Sequence, residues 1–246
     1  MNTASARSGL YQDIARMALR KGAPGKEKLP ENSVLAADAR KALEAGDFRQ
    51  ALSLTQALDR DEDARGPLLD EVLTAALAKG DEALGIEAAK SQGRNEGQDD
   101  ALRRIVDFHA ERGHPLRSLE IAALMVKPKS RADAELALSD KLRDGGYKKA
   151  SADLLQRISV SPVTEGRTVA RVVDKLAAGG EFETASLRAK EITEPEARSR
   201  AYSRLSKRLA DAGRVEEARS LLSEVTVPED RSFASSGLAR ALARSG

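Results

Sequence analysis

The apolar positions of this chain fall on helical stripes that return at a fixed interval. From Arg198 they run Ala201, Leu205, Leu209 and then Gly213; from Arg231 they run Ala234, Leu238, Leu242 and then Gly246. Steps of three and four residues keep side chains on one face of an α-helix. After each glycine a second stripe follows, as in Ala150, Leu154, Leu155, Ile158 or Ala218, Leu221, Leu222, Val225. The unit is therefore helix, tight turn, helix, loop. Its turn glycines are Gly46, Gly80, Gly113, Gly145, Gly180 and Gly213, spaced by 34, 33, 32, 35 and 33 residues. Five positions after each stands a small residue: Ala51, Gly85, Ser118, Ala150, Ala185 and Ala218. Arg65, Arg131, Arg167, Arg198 and Arg231 stand 13 to 15 residues before a glycine, and Gln98 fills the remaining slot.

Each mark has a physical reading. Glycine ends the first helix because it accepts a left-handed backbone, and a small residue early in the second helix lets the two axes approach. Pro128, Pro195 and Pro228 read as closing second helices, since proline cannot continue one. The predicted helices are 32–45 and 48–60, 65–79 and 82–91, 98–112 and 115–126, 131–144 and 147–159, 166–179 and 182–193, 197–212 and 215–225, then 230–244 alone. The last, with Phe233, Leu238 and Leu242, covers the sixth pair as a C-terminal cap, because the end unit of a solenoid otherwise exposes an apolar face.

Gly46 to Ala51 (GDFRQA), Gly145 to Ala150 (GGYKKA), Gly180 to Ala185 (GEFETA) and Gly213 to Ala218 (GRVEEA) resemble the turn of the tetratricopeptide repeat, TPR. That family has a helix-turn-helix unit of about 34 residues. The resemblance covers residues 31 to 246; the repeats around Gly80 and Gly113 lack the aromatic, and the first helices lack the family's Trp. It implies an all-α fold, a right-handed α-α superhelix: a TPR-like solenoid of about six helix pairs plus the capping helix, its concave wall lined by first helices. Residues six before the turn glycine would look into that groove: Arg40, Thr74, Asp107, Ser139, Asp174, Lys207 and Arg240. With Arg200, Arg204 and Arg244 they give an acidic middle and a basic C-terminal end, suited to an acidic peptide or a free carboxylate. Asn2, Asn32 and Asn95 are the chain's only asparagines, so the first helices carry neither the family's asparagine ladder nor its carboxylate clamp.

Composition narrows the function. Of 246 residues 33% are charged and 41% hydrophobic, with a mean hydropathy of -0.46; this is a soluble folded composition, without any run near the ~18 apolar residues of a membrane span. There is no cysteine, hence no disulfide, thiolate metal site or thiol nucleophile. Residues 1 to 30 hold six bases and two acids, whereas the rest holds 35 bases and 37 acids. The first 30 residues read as a basic helix (Ser8 to Lys21, with Leu10, Ile14 and Met17) and a linker through Gly22, Pro24, Gly25 and Pro30; an address or membrane-surface role is the alternative. A secretory signal is not seen, which points to a cytoplasmic protein.

No catalytic constellation emerges. His109 falls in a slot filled by leucine elsewhere, at the core or its edge, and His114 is solvated beside the turn; their spacing fits no metal motif. Gly22 to Lys26 lacks the Ser or Thr and the strand of a phosphate loop. Glu216 and Glu217 stand at a helix start, where acids are favoured. The expectation is a non-enzymatic repeat protein without cofactor or metal that binds a protein partner as adaptor or scaffold. The alternative is nucleic-acid binding through Arg200, Arg204, Arg208, Arg240 and Arg244, disfavoured by the nearly neutral repeat body and the scarcity of aromatics. Self-association through the terminal helices is also open, with Phe233 and Leu242 on the last one.

Overall fold

The computed structural model describes residues 31–59, 63–93, 96–159 and 165–245. The predicted N-terminal helix, its linker and Gly246 lie outside them. All regular structure among the described residues is α-helical. The pairs are α1 (Asn32–Glu44) with α2 (Phe48–Ala57), α3 (Arg65–Lys79) with α4 (Glu82–Ser91), α5 (Glu96–Glu111) with α6 (Pro115–Ala122), α7 (Pro128–Asp144) with α8 (Lys148–Ser159), α9 (Gly166–Ala178) with α10 (Phe182–Lys190), and α11 (Pro195–Asp211) with α12 (Val215–Leu222); α13 (Pro228–Ser245) follows. No helix among them is long and apolar enough to cross a membrane. The chain divides into two compact units, Met1–Phe108 and His109–Gly246. In the first, α1 and α3 lie side by side, with α2 against both α1 and α3. In the second, α7, α9, α11 and α13 form a layer of first helices, and each of α8, α10 and α12 packs on its own first helix and the next.

The turns share one hydrogen-bond pattern. The residue after the glycine donates its N–H to the carbonyl four before the glycine: Asp47 to Ala42, Asp81 to Ala76, His114 to His109, Tyr147 to Leu142, Glu181 to Leu176 and Arg214 to Leu209, all between 2.8 and 2.9 Å. The glycine itself bonds three residues back, which completes a Schellman motif. The donor residue then caps the second helix; Asp47 and Asp81 accept from the N–H of Gln50 and Leu84.

This pattern corrects the phase of the fourth repeat. The left-handed residue there is Gly146, at φ 86°, while Gly145 has φ -76° and ends the helix normally. The true spacings become 34, 33, 33, 34 and 33. The aromatic had aligned Tyr147 with Phe48 and Phe182, yet Tyr147 sits one place early and is 51% exposed. Two assignments move with it. The small residue against the first helix is the buried Ser151, not Ala150, and the residue six before the turn is Asp140, not Ser139. Ser139 is 1% exposed; its hydroxyl donates to the Leu136 carbonyl and its own carbonyl accepts from Ser151. It faces no groove.

Pro128 and Pro195 do not close second helices. They occupy the first turn of the following first helix, as Pro228 opens α13, where a missing N–H leaves no bond unmade. Four second helices end three or four residues sooner than the pattern predicts, and the chain beyond them tucks in Leu58, Met125, Ile192 and Val225, each twelve residues past its turn glycine and buried. Here the recurrent arginines act. Arg65 donates to the carbonyl of Leu58, Arg131 to that of Met125 at 2.7 Å, and Arg231 to that of Val225 at 2.8 and 3.0 Å. Arg65, Arg131 and Arg231, each fifteen before a glycine, thus fasten the end of the preceding pair. Arg167 stands only thirteen before Gly180 and belongs to another position, that of Arg200.

Alanine substitution at the two adjacent glycines tests the phase. Gly146→Ala is expected to lose about 1 kcal/mol in thermal or urea unfolding, because a left-handed alanine is strained by ~1–2 kcal/mol and reduced unfolded-state entropy returns part of that. Gly145→Ala should stay within about 0.5 kcal/mol of wild type. The opposite order would return the turn to Gly145.

Candidate functional site

The position six before each turn glycine carries Arg40, Thr74, Asp107, Asp140, Asp174, Lys207 and Arg240. Arg40, Thr74, Asp107 and Arg240 are exposed; Asp174 and Lys207 are half-buried. Three of this row, Thr74, Asp140 and Asp174, are bonded to the next first helix. In the first unit Arg104 bonds to Asp70 at 2.9 Å and to the Thr74 hydroxyl at 2.6 Å, while Asp107 is bonded within α5 by Arg103 at 3.1 Å. In the second, Asp140 is held by Lys175 and by Arg143, and Asp133 by Arg171. Asp174 accepts from Arg204 at 3.3 Å and from Arg208 at 2.9 Å. Lys207 turns to Asp211 at 2.6 Å, and Arg244 reaches the same carboxylate at 3.2 Å.

Of the acidic middle and the basic end named from sequence, Asp174 and Arg204 are bonded to each other. Asp174 is brought together with Arg204 and Arg208, and Asp211, which sequence reasoning had not singled out, joins Lys207 to Arg244. The signal was present: these acid-base pairs lie 33 to 35 residues apart, one repeat period, for Arg104, Lys175, Arg208 and Arg244. Of the five arginines in the nucleic-acid reading, Arg204, Arg208 and Arg244 are bonded to carboxylates, and Arg200 and Arg240 are exposed.

Arg200 has a companion. It lines an open cleft of about 340 Å³ with Arg167, Glu194, Pro195, Glu196 and Ala197, between the starts of α9 and α11. Arg167 and Arg200 each stand thirteen before their glycine, so the repeat sets them at the same height on neighbouring helices. Glu194 lies against Gly166 at the first turn of α9, where a Cβ would meet its carboxylate at 2.9 Å; helix N-termini favour an acid there. A second groove, of about 450 Å³, runs between α10 and α12. Phe182, Leu187, Leu209 and Leu221 line it, and the Arg214 guanidinium lies 5.0 Å from the Phe182 ring centre while bonding Glu183 and Glu217. Those bonds raise the Arg214 pKa and lower that of Glu183.

The histidines are placed near their expected positions. Both ring nitrogens of His109 are buried, its ring centre lies 6.2 Å from that of the exposed His114, and its carbonyl accepts the turn bond. Glu216 stands in the first turn of α12 with Glu217. Glu135, missed in the sequence, is a buried carboxylate bonded to Arg157 at 2.9 Å; burial raises its pKa against the lowering pull of Arg157 and Arg131.

Asp211 supplies a test of the bonded row. The hydrogen bond from Lys207, then that from Arg244, holds its carboxyl below the ordinary aspartate value. A lowered folded-state pKa gives stability that is present above the unfolded value and lost as pH falls through the folded one. Asp211→Asn is expected to lower stability at neutral pH by less than about 1 kcal/mol, as for a solvent-accessible pair. The gap to wild type should close in acid unfolding titrations below about pH 4. A gap that widened in acid would contradict the assignment.

No protein-family model matches this chain, and no curated protein matches it. Among solved structures it is similar to a putative kinesin light chain of Podosopora anserina with nearly identical TPR-like repeats, at 15% identity and a TM-score of 0.37, over 78% of this chain and 92% of that one. It is also similar to a circular tandem repeat protein with novel repeat topology, at 14% identity and a TM-score of 0.26, over 97% of this chain and 58% of that one. The helix pairs, their left-handed turn glycines and their period of 33 to 34 residues make this an all-α array of helix-turn-helix repeats.

Proposed function

We propose that this chain is a non-enzymatic helical-repeat adaptor or assembly scaffold, and that it takes an acidic segment of a protein partner on the face built by its first helices. The observation that carries the reading is the cleft in which Arg167 and Arg200, equivalent residues of consecutive repeats, line one opening. Guanidinium groups at equal height on adjacent helices suit two carboxylates of an extended or helical segment, by charge-assisted, bidentate hydrogen bonds. Asp140 and Asp174 are already bonded by cations of the following helix, so these two acids do not oppose an acidic partner with their full charge. Of the groove residues read from sequence, Arg200 lines this cleft, with Arg167 beside it.

The test is affinity capture from a nuclease-treated lysate of the native cell, comparing wild type with Arg167→Glu/Arg200→Glu and checking helicity of both by circular dichroism. A protein captured by wild type and lost, by at least about tenfold, in the double variant is the expected result; tenfold corresponds to ~1.4 kcal/mol. An unchanged set of captured proteins would remove the cleft from the interface. Material captured from a parallel untreated lysate and absent after nuclease treatment would favour a nucleic acid instead.

A further inference from the structure

A short row of side chains on α11 holds α13. The Ser203 hydroxyl donates to the Asp230 carbonyl at 2.6 Å, and the Ser199 hydroxyl accepts from the Val227 N–H at 3.0 Å. The stem of Lys207 lies against Gly237, where an added Cβ would come within 2.9 Å of Lys207 Cγ. One period later the same row recurs on α13 as Ser232, Ser236 and Arg240. There it is exposed, and Glu229, Phe233, Ala239 and Ala243 continue the exposed stripe at helical spacing. Phe233, 49% exposed, is the large apolar group on it. A face with the residues that dock a helix elsewhere in the molecule is a helix-docking face.

Charge says what fits. The stripe begins acidic, at Glu229, and ends basic, at Arg240 and the neighbouring Arg244. We propose that α13 meets α13 of a second copy of this chain, antiparallel, about a two-fold axis at Ser236. In that register Glu229 falls beside the partner subunit's Arg240, and Phe233 meets the partner subunit's Ala239 with the Arg240 guanidinium next to its ring. Ser232, Ser236, Ala239 and Ala243 are small enough for close approach along the ~27 Å of an 18-residue helix. The competing arrangement is a head-to-tail stack, in which α1 of another copy continues the repeat. It would bring Lys41 toward Arg240, since these occupy the positions of Arg208 and Asp174, which touch at 2.9 Å. Two cations oppose at that pair, with Glu44 falling toward Arg244 in the positions of Arg244 and Asp211, whereas the antiparallel pair sets Glu229 against Arg240.

Sedimentation analysis of the full chain across the micromolar range tests this. Wild type is expected to form a closed dimer. Phe233→Lys, which sets a cation against the partner's Arg240, should give a monomer with unchanged helicity by circular dichroism. Glu229→Arg and Arg240→Glu should each weaken the dimer by about tenfold, and the double variant should recover it to within about threefold, because an isologous interface exchanges both charges at once. A wild-type monomer, open-ended oligomers, a dimer indifferent to Phe233→Lys, or single-variant losses that the double variant does not repair would each overturn the proposal. Arg167 and Arg200 are untouched in these variants, so failure here is separable from failure of the partner-binding cleft.

Discussion

The hydrogen bond from the residue after each turn glycine to the carbonyl four residues before it sets the register of everything else. Once it forms, the first helix has a fixed end, the second a fixed start, and the glycine between them a left-handed backbone that an L-side chain resists. The carbonyl that accepts it belongs to a residue at the helix-pair contact, such as Leu142, Leu176 or Leu209, all buried. Five residues past the glycine the second helix meets the first through Ala51, Ser151, Ala185 or Ala218, or through Gly85, whose absent Cβ would already touch Leu73 at 3.4 Å. Turn and close packing are thus parts of one constraint.

Between repeats a second set of forces takes over. Buried leucines and valines of successive first helices supply the apolar contact, at about 25 cal/mol per Å² removed from water. Carboxylates and cations one period apart lie over that contact at the half-exposed rim. Exposed pairs of this kind are individually weak and are screened by salt. Their effect is on orientation: an acid such as Asp174, gripped from Arg204 and Arg208 together, favours one angle between neighbouring helices over others.

Much of this was legible in the residues. The period, the helix pairs, the final helix and most turn glycines follow from spacing and from what Gly, Ala and Leu do in helices. The fourth turn was not, because Gly145 and Gly146 are chemically alike and Tyr147 invited alignment with Phe48 and Phe182; only the backbone angle distinguishes them. That one-residue slip put Ser139 where Asp140 belongs. Treating arginines 13 to 15 residues before a glycine as one class hid two positions, the fastener exemplified by Arg131 and the cleft residue Arg167. A groove of separate charges read from single positions could not reveal that Asp174 and Arg208 neutralise each other, since that depends on how neighbouring helices meet.

The arginine fastener has a mechanical consequence. An array whose repeats touch only their neighbours has no shared core, so a pull on its ends is carried in series by each joint. At the joints before α3, α7 and α13 a guanidinium rivets the incoming helix to the outgoing chain. Before α9 the equivalent residue is Glu165, fifteen ahead of Gly180, and a carboxylate has no proton to offer a carbonyl. Under tension that seam draws no such rivet from Glu165.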